Sequence, residues 1–410
     1  MKEPFITGTK ESPMEASNPH NDRLADLGAA NRAKLVSELR KGASLPLHLL
    51  SEATGLSRPT LKSHLDALVT AGIATREEAR VGTQGGRPAA SYSLNASGAL
   101  LVAMDISLHE HRFMLVDLAG TVRAARVSEL PAPPAPDDRS RLLIEQLHDF
   151  LDEADTPTDR VSLFSAAIGA QVDQRGSLGR LPVGNALIDS DFASRLPAPL
   201  ILENDLKAAA YAEHRIGCAQ DALDVIHALL WYRVAAGIIL DGRIRRGARE
   251  LAGELNMVAS TSMPAPEDWT TWPRFLETLL AAEKGDARAL ESVDGFCALT
   301  ATQIAYLAMS IDPDKIVLGG PLAHRSPMLV DRLISALDKE LPTGPSFAIE
   351  VAALRSWGPA LGAALRGLEA IETRLLGAPS TIDALVNASP IAIPIPCKPQ
   401  HDSVLNEENE

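Results

Sequence analysis

The stretch Ser44–Asn95 reads SLPLHLLSEATGLSRPTLKSHLDALVTAGIATREEARVGTQGGRPAASYSLN. Leu47, Leu50 and Ala53 recur at helical spacing and Gly55 follows them, which predicts a helix over about 46–54. Ser57 is placed to cap a second helix, with Pro59 in its first turn, where a missing N–H costs nothing. Leu61, Leu65, Leu68 and Val69 make one apolar stripe along that helix, so it must pack on the first. Arg58, Thr60, Lys62, Ser63 and His64 are left on or beside the opposite side. Two short helices joined by a tight turn, the second with a polar outer face, describe a helix-turn-helix whose second helix enters the DNA major groove.

The residues on either side extend this reading. Gly72 ends the second helix, and Ile73–Val81 and Ala90–Leu94 read as strands flanking a glycine-rich loop, the wing of a winged helix. Gly85-Gly86-Arg87-Pro88 sets a cation on an extended segment, which suits the narrow, negative minor groove of A/T-rich DNA. Upstream, Leu24–Arg40 carries Leu24, Leu27, Leu35, Val36 and Leu39, and Gly42 closes it, giving a supporting first helix. The expected DNA-binding domain spans 23–95, with Ser57, Arg58, Thr60, Lys62, Ser63 and Arg87 as its contact residues. The alternative is a helical hairpin with a β-ribbon that makes protein contacts only.

Charge divides the chain in the same way. Of its 410 residues, 46% are hydrophobic and 22% charged, the balance of a globular protein. The formal net charge is −14, yet residues 22–95 hold ten Lys/Arg against seven Asp/Glu, a net of +3, leaving −17 elsewhere. An acidic body gains nothing from phosphate contacts, so only the small basic head is expected to meet DNA. No apolar run reaches membrane-spanning length and the first residues lack a signal-peptide core, so a cytoplasmic protein without a membrane partner is expected. Cys218, Cys297 and Cys397 are scattered and odd in number, which argues against a disulfide framework.

Beyond the head the order of elements is that of an α/β protein. Residues 1–22 are expected to be disordered, and Asn95–Gly98 to act as a hinge. Strands are expected at Leu100–Ile106, Arg112–Leu118 and Thr121–Val127, a helix at Arg141–Asp152, strands at Val161–Gly169 and Leu200–Leu202, and a helix at Asp205–Ile216. The pattern then restarts with strands at Val225–Leu230 and Ala236–Leu240. A helix at Gly295–Ser310, a strand at Lys315–Leu318 and a helix at Pro359–Leu376 follow. Strands that open twice, each set followed by helices, imply two lobes over 99–377, the second beginning near 224. Residues 378–410 read as a loose tail.

Residues 24–377 resemble the ROK family in its transcriptional-repressor branch, a winged helix fused to a body of the actin/hexokinase type. GLSRPTLKSHLDALVTAGI and GGRPA are similar to that branch's DNA reader. Leu202-Glu203-Asn204-Asp205 resembles the family's sugar-binding and catalytic END motif. Gly237–Ile244 with Arg246-Gly247-Ala248 is similar to GIILNGRLYRGA, Ala252–Leu255 to AGEIGH, and Asp312–Gly320 to NPDRIVLGG. The resemblance implies a ligand site built from Asn185, Asn204, Asp205 and Glu254, Asn185 lying in a loop like the family's PNLGW. Amide and carboxylate groups suit sugar hydroxyls, each of which donates and accepts. Asn204 and Asp205 equally suit capping of the helix they precede, and Glu254 an ordinary surface carboxylate.

Three departures from the family pattern stand out. Where family kinases carry DxGGTK this chain has Asp105-Ile106-Ser107-Leu108-His109-Glu110, with side chains where phosphate needs bare backbone and an acid where the lysine was. The second phosphate loop, GTGxG, is replaced by Trp231-Tyr232-Arg233-Val234-Ala235. The zinc site lacks its histidine, with Met257 in its place, and its cysteine cluster, because Ser260–Pro273 has none. His109 and His111 make too small a set for a metal. The resemblance therefore implies no ATP, no metal and no cofactor. It implies a DNA-binding regulator, most simply a repressor, that senses a sugar or sugar phosphate and assembles as a dimer or tetramer on its operator. The alternatives are an active sugar kinase with an added head, and a regulator whose body serves only to oligomerise.

Overall fold

The structure is a computed structural model that describes residues 19–42, 44–78, 90–108, 110–130, 136–173, 178, 187–231, 234–255, 271–341, 347–379 and 385. Arg87, His109, Asn185, Met257 and the wing tip lie outside the described residues.

The head opens with α1 (Pro19–Arg40), which starts earlier than its apolar pattern and covers residues expected to be disordered. Strand β1 (Leu45–Pro46) precedes α2 (Leu47–Thr54) and α3 (Arg58–Thr70). The predicted stripe of α3 is buried at Leu61, Leu65 and Leu68, and packs with Leu35, Val36, Leu39 and Leu50. Two other expectations fail. Leu27 is 59% exposed, α1 turning Ala29 and Ala33 inward beside the expected Leu35, Val36 and Leu39. Ala53 of α2 is exposed and Thr54 is buried, its hydroxyl donating to Leu50 O at 2.6 Å while its carbonyl accepts from Lys34 Nζ at 2.6 Å. Strands β2 (Ala74–Glu77) and β3 (Ser91–Leu94) are antiparallel, and β1 pairs with β3 to make a three-stranded sheet that the sequence pattern did not contain.

The expected hinge is a fastened joint. Ala96–Gly98 forms a 3-10 turn; Asn95 Nδ2 donates to Gly72 O at 2.7 Å and Leu118 N donates to Ala96 O at 3.0 Å. The head's core continues without a break into the body, through Ala99 and Leu101, to the C-terminal helix. Leu385, within the expected loose tail, is buried in the same core.

The body repeats one design. Strands β4 (Leu100–Ile106), β5 (Glu110–Asp117) and β6 (Val122–Glu129) run antiparallel. After α4 (Pro136–Glu153), β7 (Val161–Ile168) and β8 (Leu200–Asn204) add in parallel, giving the order β6-β5-β4-β7-β8. Helix α5 (Asp205–Ile216) leads to the second sheet. There β9 (Val225–Leu230), β10 (Val234–Leu240) and β11 (Arg243–Ile244) are antiparallel. Helices α6 (Thr271–Glu283) and α7 (Ala287–Ile311) come before β12 (Lys315–Gly319), and α8 (Pro321–Arg325) and α9 (Pro327–Glu340) before β13 (Ala348–Val351). The order β11-β10-β9-β12-β13 copies the first sheet strand for strand. Helix α10 (Gly358–Leu376) is the last helix among the described residues.

The two halves exchange helices. Following the first sheet, α5 packs on β10 of the second, where Gly237 lets the Leu206 carbonyl approach. Following the second sheet, α10 packs on β4 and β7 of the first, where Ser165 Oγ donates to Ala363 O at 2.7 Å. Between the sheets α5 and α10 touch backbone to backbone: a Cβ on Gly362 would lie 2.0 Å from Ala208 O. This exchange puts the first turn of α5, with the END residues, between the halves.

Candidate functional site

On the head, the outer face of α3 presents Arg58, Thr60, Lys62 and Ser63 to solvent, as its period required. Ser57 is the N-cap; it accepts from Thr60 N at 3.4 Å, and its hydroxyl lies 2.8 Å from that of Thr60. Both hydroxyls are thus held at the tip of the helix that would enter a groove, with Arg58 and Lys62 beside them.

In the body, Asn204 ends β8 and caps α5. Its Oδ1 accepts from Lys207 N at 3.1 Å and its Nδ2 donates to Ala170 O at 3.1 Å, so each end of the amide is engaged with backbone. Asp205 opens the helix, where the macrodipole favours an anion; Oδ1 accepts from Leu206 N at 2.8 Å. Its Oδ2 faces the end of β7, 3.3 Å from where a Cβ on Gly169 would sit. Glu254, half-buried, follows Gly253 in a loop fastened to β10 by Ala236 N donating to Gly253 O at 2.8 Å. A Cβ on Gly253 would lie 1.8 Å from Ala236 O, and its φ of +86° also requires glycine. Because Gly237 contacts Leu206 and Ala236 contacts Gly253, the segments bearing Asp205 and Glu254 are neighbours. Asn185 lies outside the described residues.

Sequence reasoning assigned no role to the residues that organise this region. Glu203 is 4% exposed and takes both nitrogens of Arg246, one at 2.7 Å, in a bidentate pair. It also accepts from Asn204 N at 3.1 Å and stands 3.9 Å from Arg366 Nε on α10. Arg246 follows β11, so this pair joins the two halves across the END segment. Neither Glu203 nor Arg246 belongs to an apolar stripe; their one signal was a place inside END and RGA. Nearby, buried Lys207 donates to Glu250 O at 3.0 Å and holds the loop that leads to Glu254.

At the first phosphate-loop position the backbone closes on itself. Ser107 Oγ donates to Glu110 O at 2.7 Å, and Glu110 N donates back to Ser107 Oγ at 3.4 Å. Behind this turn Arg112 donates to Asp105 Oδ2 at 3.0 Å and pairs with Glu110, and its guanidinium lies 5.8 Å from the Trp357 ring centre. Burial, against the pull of Arg112 and with the help of the nearby Asp205 and Glu110 carboxylates, pushes the Asp105 carboxyl up to about 7. A phosphate here would meet two or three acids and a guanidinium already paired. The second phosphate loop is the β9–β10 turn after Leu230; Tyr232 and Arg233 of that turn lie outside the described residues, as does most of the expected zinc segment. Among the described residues no three His, Cys, Asp or Glu side chains come together as a metal site, and no helix is long and apolar enough to cross a membrane.

A helix-turn-helix head on two copies of a 3-2-1-4-5 sheet, with helices exchanged between them, defines a sugar-kinase-like body carrying a winged helix. The ROK family model matches residues 101–260 and 273–367, more than half of the sequence, and the chain belongs to the ROK family. The xylose repressor of Bacillus spizizenii is 21% identical over 359 residues, 81% of this chain and 93% of that protein. A ROK family transcriptional regulator, described as a homolog of the Escherichia coli MLC protein, shares the fold with a TM-score of 0.61 and 19% identity over 85% of this chain and 98% of that one. The ROK hexokinase from Thermus thermophilus matches with a TM-score of 0.54 and 23% identity over 67% of this chain and 99% of its own.

Proposed function

We propose that this protein is a sequence-specific DNA-binding transcriptional regulator, a repressor, whose kinase-like body senses a sugar or sugar phosphate without phosphorylating it. The head carries DNA contact through Ser57, Arg58, Thr60, Lys62, Ser63 and Arg87. The body binds the effector through Asp205 and Glu254, with Asn185 and Asn204 shaping the pocket. Two heads of a cytoplasmic homo-oligomer read a palindromic operator.

The observation that carries this reading is the contrast between two neighbouring parts of the body. Asp105, Arg112 and Glu110 fill the phosphate-loop position with a closed ion network, whereas the END and AGE segments stay adjacent and braced. Asp205 stands where a base would activate a sugar hydroxyl, while the phosphate-loop position that would hold a phosphoryl donor is filled by the Asp105–Arg112–Glu110 network.

The test is operator binding by the full chain across a panel of pentoses and hexoses, D-xylose included. Wild type changes its operator affinity with one of them; Asp205→Ala and Glu254→Ala keep ligand-free DNA binding and lose the response. With ATP, magnesium and the same sugars, no ADP forms above background. Sustained turnover that vanished in Asp205→Asn would establish a kinase with an added head instead. A wild type that binds operator and ignores every sugar would leave the body as an oligomerisation platform.

A further inference from the structure

One side of α10 carries polar groups, while most of its first four turns are buried alanine, glycine and leucine and only Thr373, Arg374 and Leu375 near its end are exposed. Arg366, Glu369, Glu372 and Leu376 follow one another at spacings of three or four, so they line one side of three helical turns. Each position has a partner outside the helix or beside it. Arg366 stands 3.9 Å from Glu203 of the END segment, and both Arg366 and Tyr211 of α5 pair with Glu369. Glu372, fully buried, pairs with Arg40 of α1, which also donates to Leu118 O at 3.2 Å. The carbonyl of Leu376 accepts from Arg32 Nε at 3.0 Å and Nη2 at 2.8 Å.

We infer that α10 is the transmission element: its polar seam ties the effector segment at Glu203 to the reading head at Arg32 and Arg40. Effector closure then re-orients the head through α10, and not by swinging it on residues 95–98. This rests on the proposed sensing of a sugar and names how that sensing reaches DNA. Two features exclude the connector as a free pivot. Asn95 and Leu118 fasten it on both sides, and the head, the first sheet and α10 share one core, so the head moves with α10 and the sheet it packs on. A ligand shifts an equilibrium only by its differential affinity for two arrangements, and the seam supplies a physical link whose position differs between them.

The latch pair Arg40–Glu372 can be removed from both sides at once. Replacing both partners of a buried ion pair by apolar residues of similar volume is often neutral or better, whereas removing one is not. The test compares the full wild-type chain with Arg32→Ala/Arg40→Met/Glu372→Leu by hydrogen exchange, with and without D-xylose and D-glucose, alongside operator binding. Without sugar, amides of Lys34–Arg40 in wild type exchange as slowly as those of α10; in the variant they exchange at least about tenfold faster, while β4 and α5 keep their protection. With an active sugar, the variant still binds it but its operator affinity no longer changes. Unaltered exchange of Lys34–Arg40 in the variant overturns the latch, and an unaltered operator response overturns the route. A wild type that answers neither sugar refutes the effector reading for those sugars, while the ligand-free exchange still decides the latch.

Discussion

Glu203→Gln probes the pair that bridges the two halves. The substitution keeps the size and one acceptor of the side chain and removes its charge. The carboxylate is 5% exposed and Arg246 21%, and after the change Arg246 keeps Glu250 at 3.9 Å. Exposed ion pairs contribute about 0–1 kcal/mol, and breaking a buried pair from one side costs about 3–5 kcal/mol. A pair this well buried, with a second acid at hand, falls between these limits, at about 2–3 kcal/mol. In a chain of this size that is roughly 2–4 °C of melting temperature. The assay is thermal and urea unfolding of wild type, Glu203→Gln, Arg246→Gln and the double variant. A coupling energy of about 2 kcal/mol in that cycle is expected, because each single change already breaks the same pair. A coupling under about 0.5 kcal/mol would refute the clamp and the view that Glu203 holds the END segment against the second half.

Other outcomes follow from particular contacts. Gly253→Ala forces a methyl into the Ala236 carbonyl at an unfavourable φ, so sugar binding measured by calorimetry is lost while operator binding without sugar persists. Lys62→Ala weakens operator binding and lowers the salt slope of log K by about one, read from titrations between 50 and 200 mM salt, roughly the range where such slopes are resolved. Burial holds His111 down to about 4, so the unfolded chain binds a proton there that the folded chain does not between about 4 and 6.5. Stability therefore falls as pH drops through that window, by at most about 3 kcal/mol, and His111→Gln flattens this acid limb in unfolding measured from pH 7 to 4.

The head was legible because its signals are local: a cap, a turn glycine and a stripe lie within one helix each, and Ser57, Gly55, Leu61, Leu65 and Leu68 do what their spacing required. Most body strands were legible as unbroken apolar runs. Helices α6, α8 and α9 and strands β11 and β13 were not, because short or mixed segments take their state from long-range packing. The ligand region was half legible. Asp205 and Glu254 carry their chemistry in their residue type, but an Arg–Glu pair 43 residues apart in sequence has no periodic trace. The same holds for Arg40 and Glu372, 332 residues apart. The connector was misread for a related reason: Asn95-Ala96-Ser97-Gly98 has the composition of a loose link, and only the folded chain shows Gly72 and Leu118 closing on it.

The contact between α5 and α10 has a mechanical consequence. Ala208 meets Gly362 and Ala209 meets Gly358, small residues with no rotamers to rearrange. Two surfaces of this kind act as a dry bearing: they tilt against each other without side-chain entropy to lose and without interlocking ridges to climb. The same smoothness leaves no tolerance for size. A single methyl on Gly362 has 2.0 Å to the Ala208 carbonyl, so it would jam the joint and hold the halves apart wherever they stood.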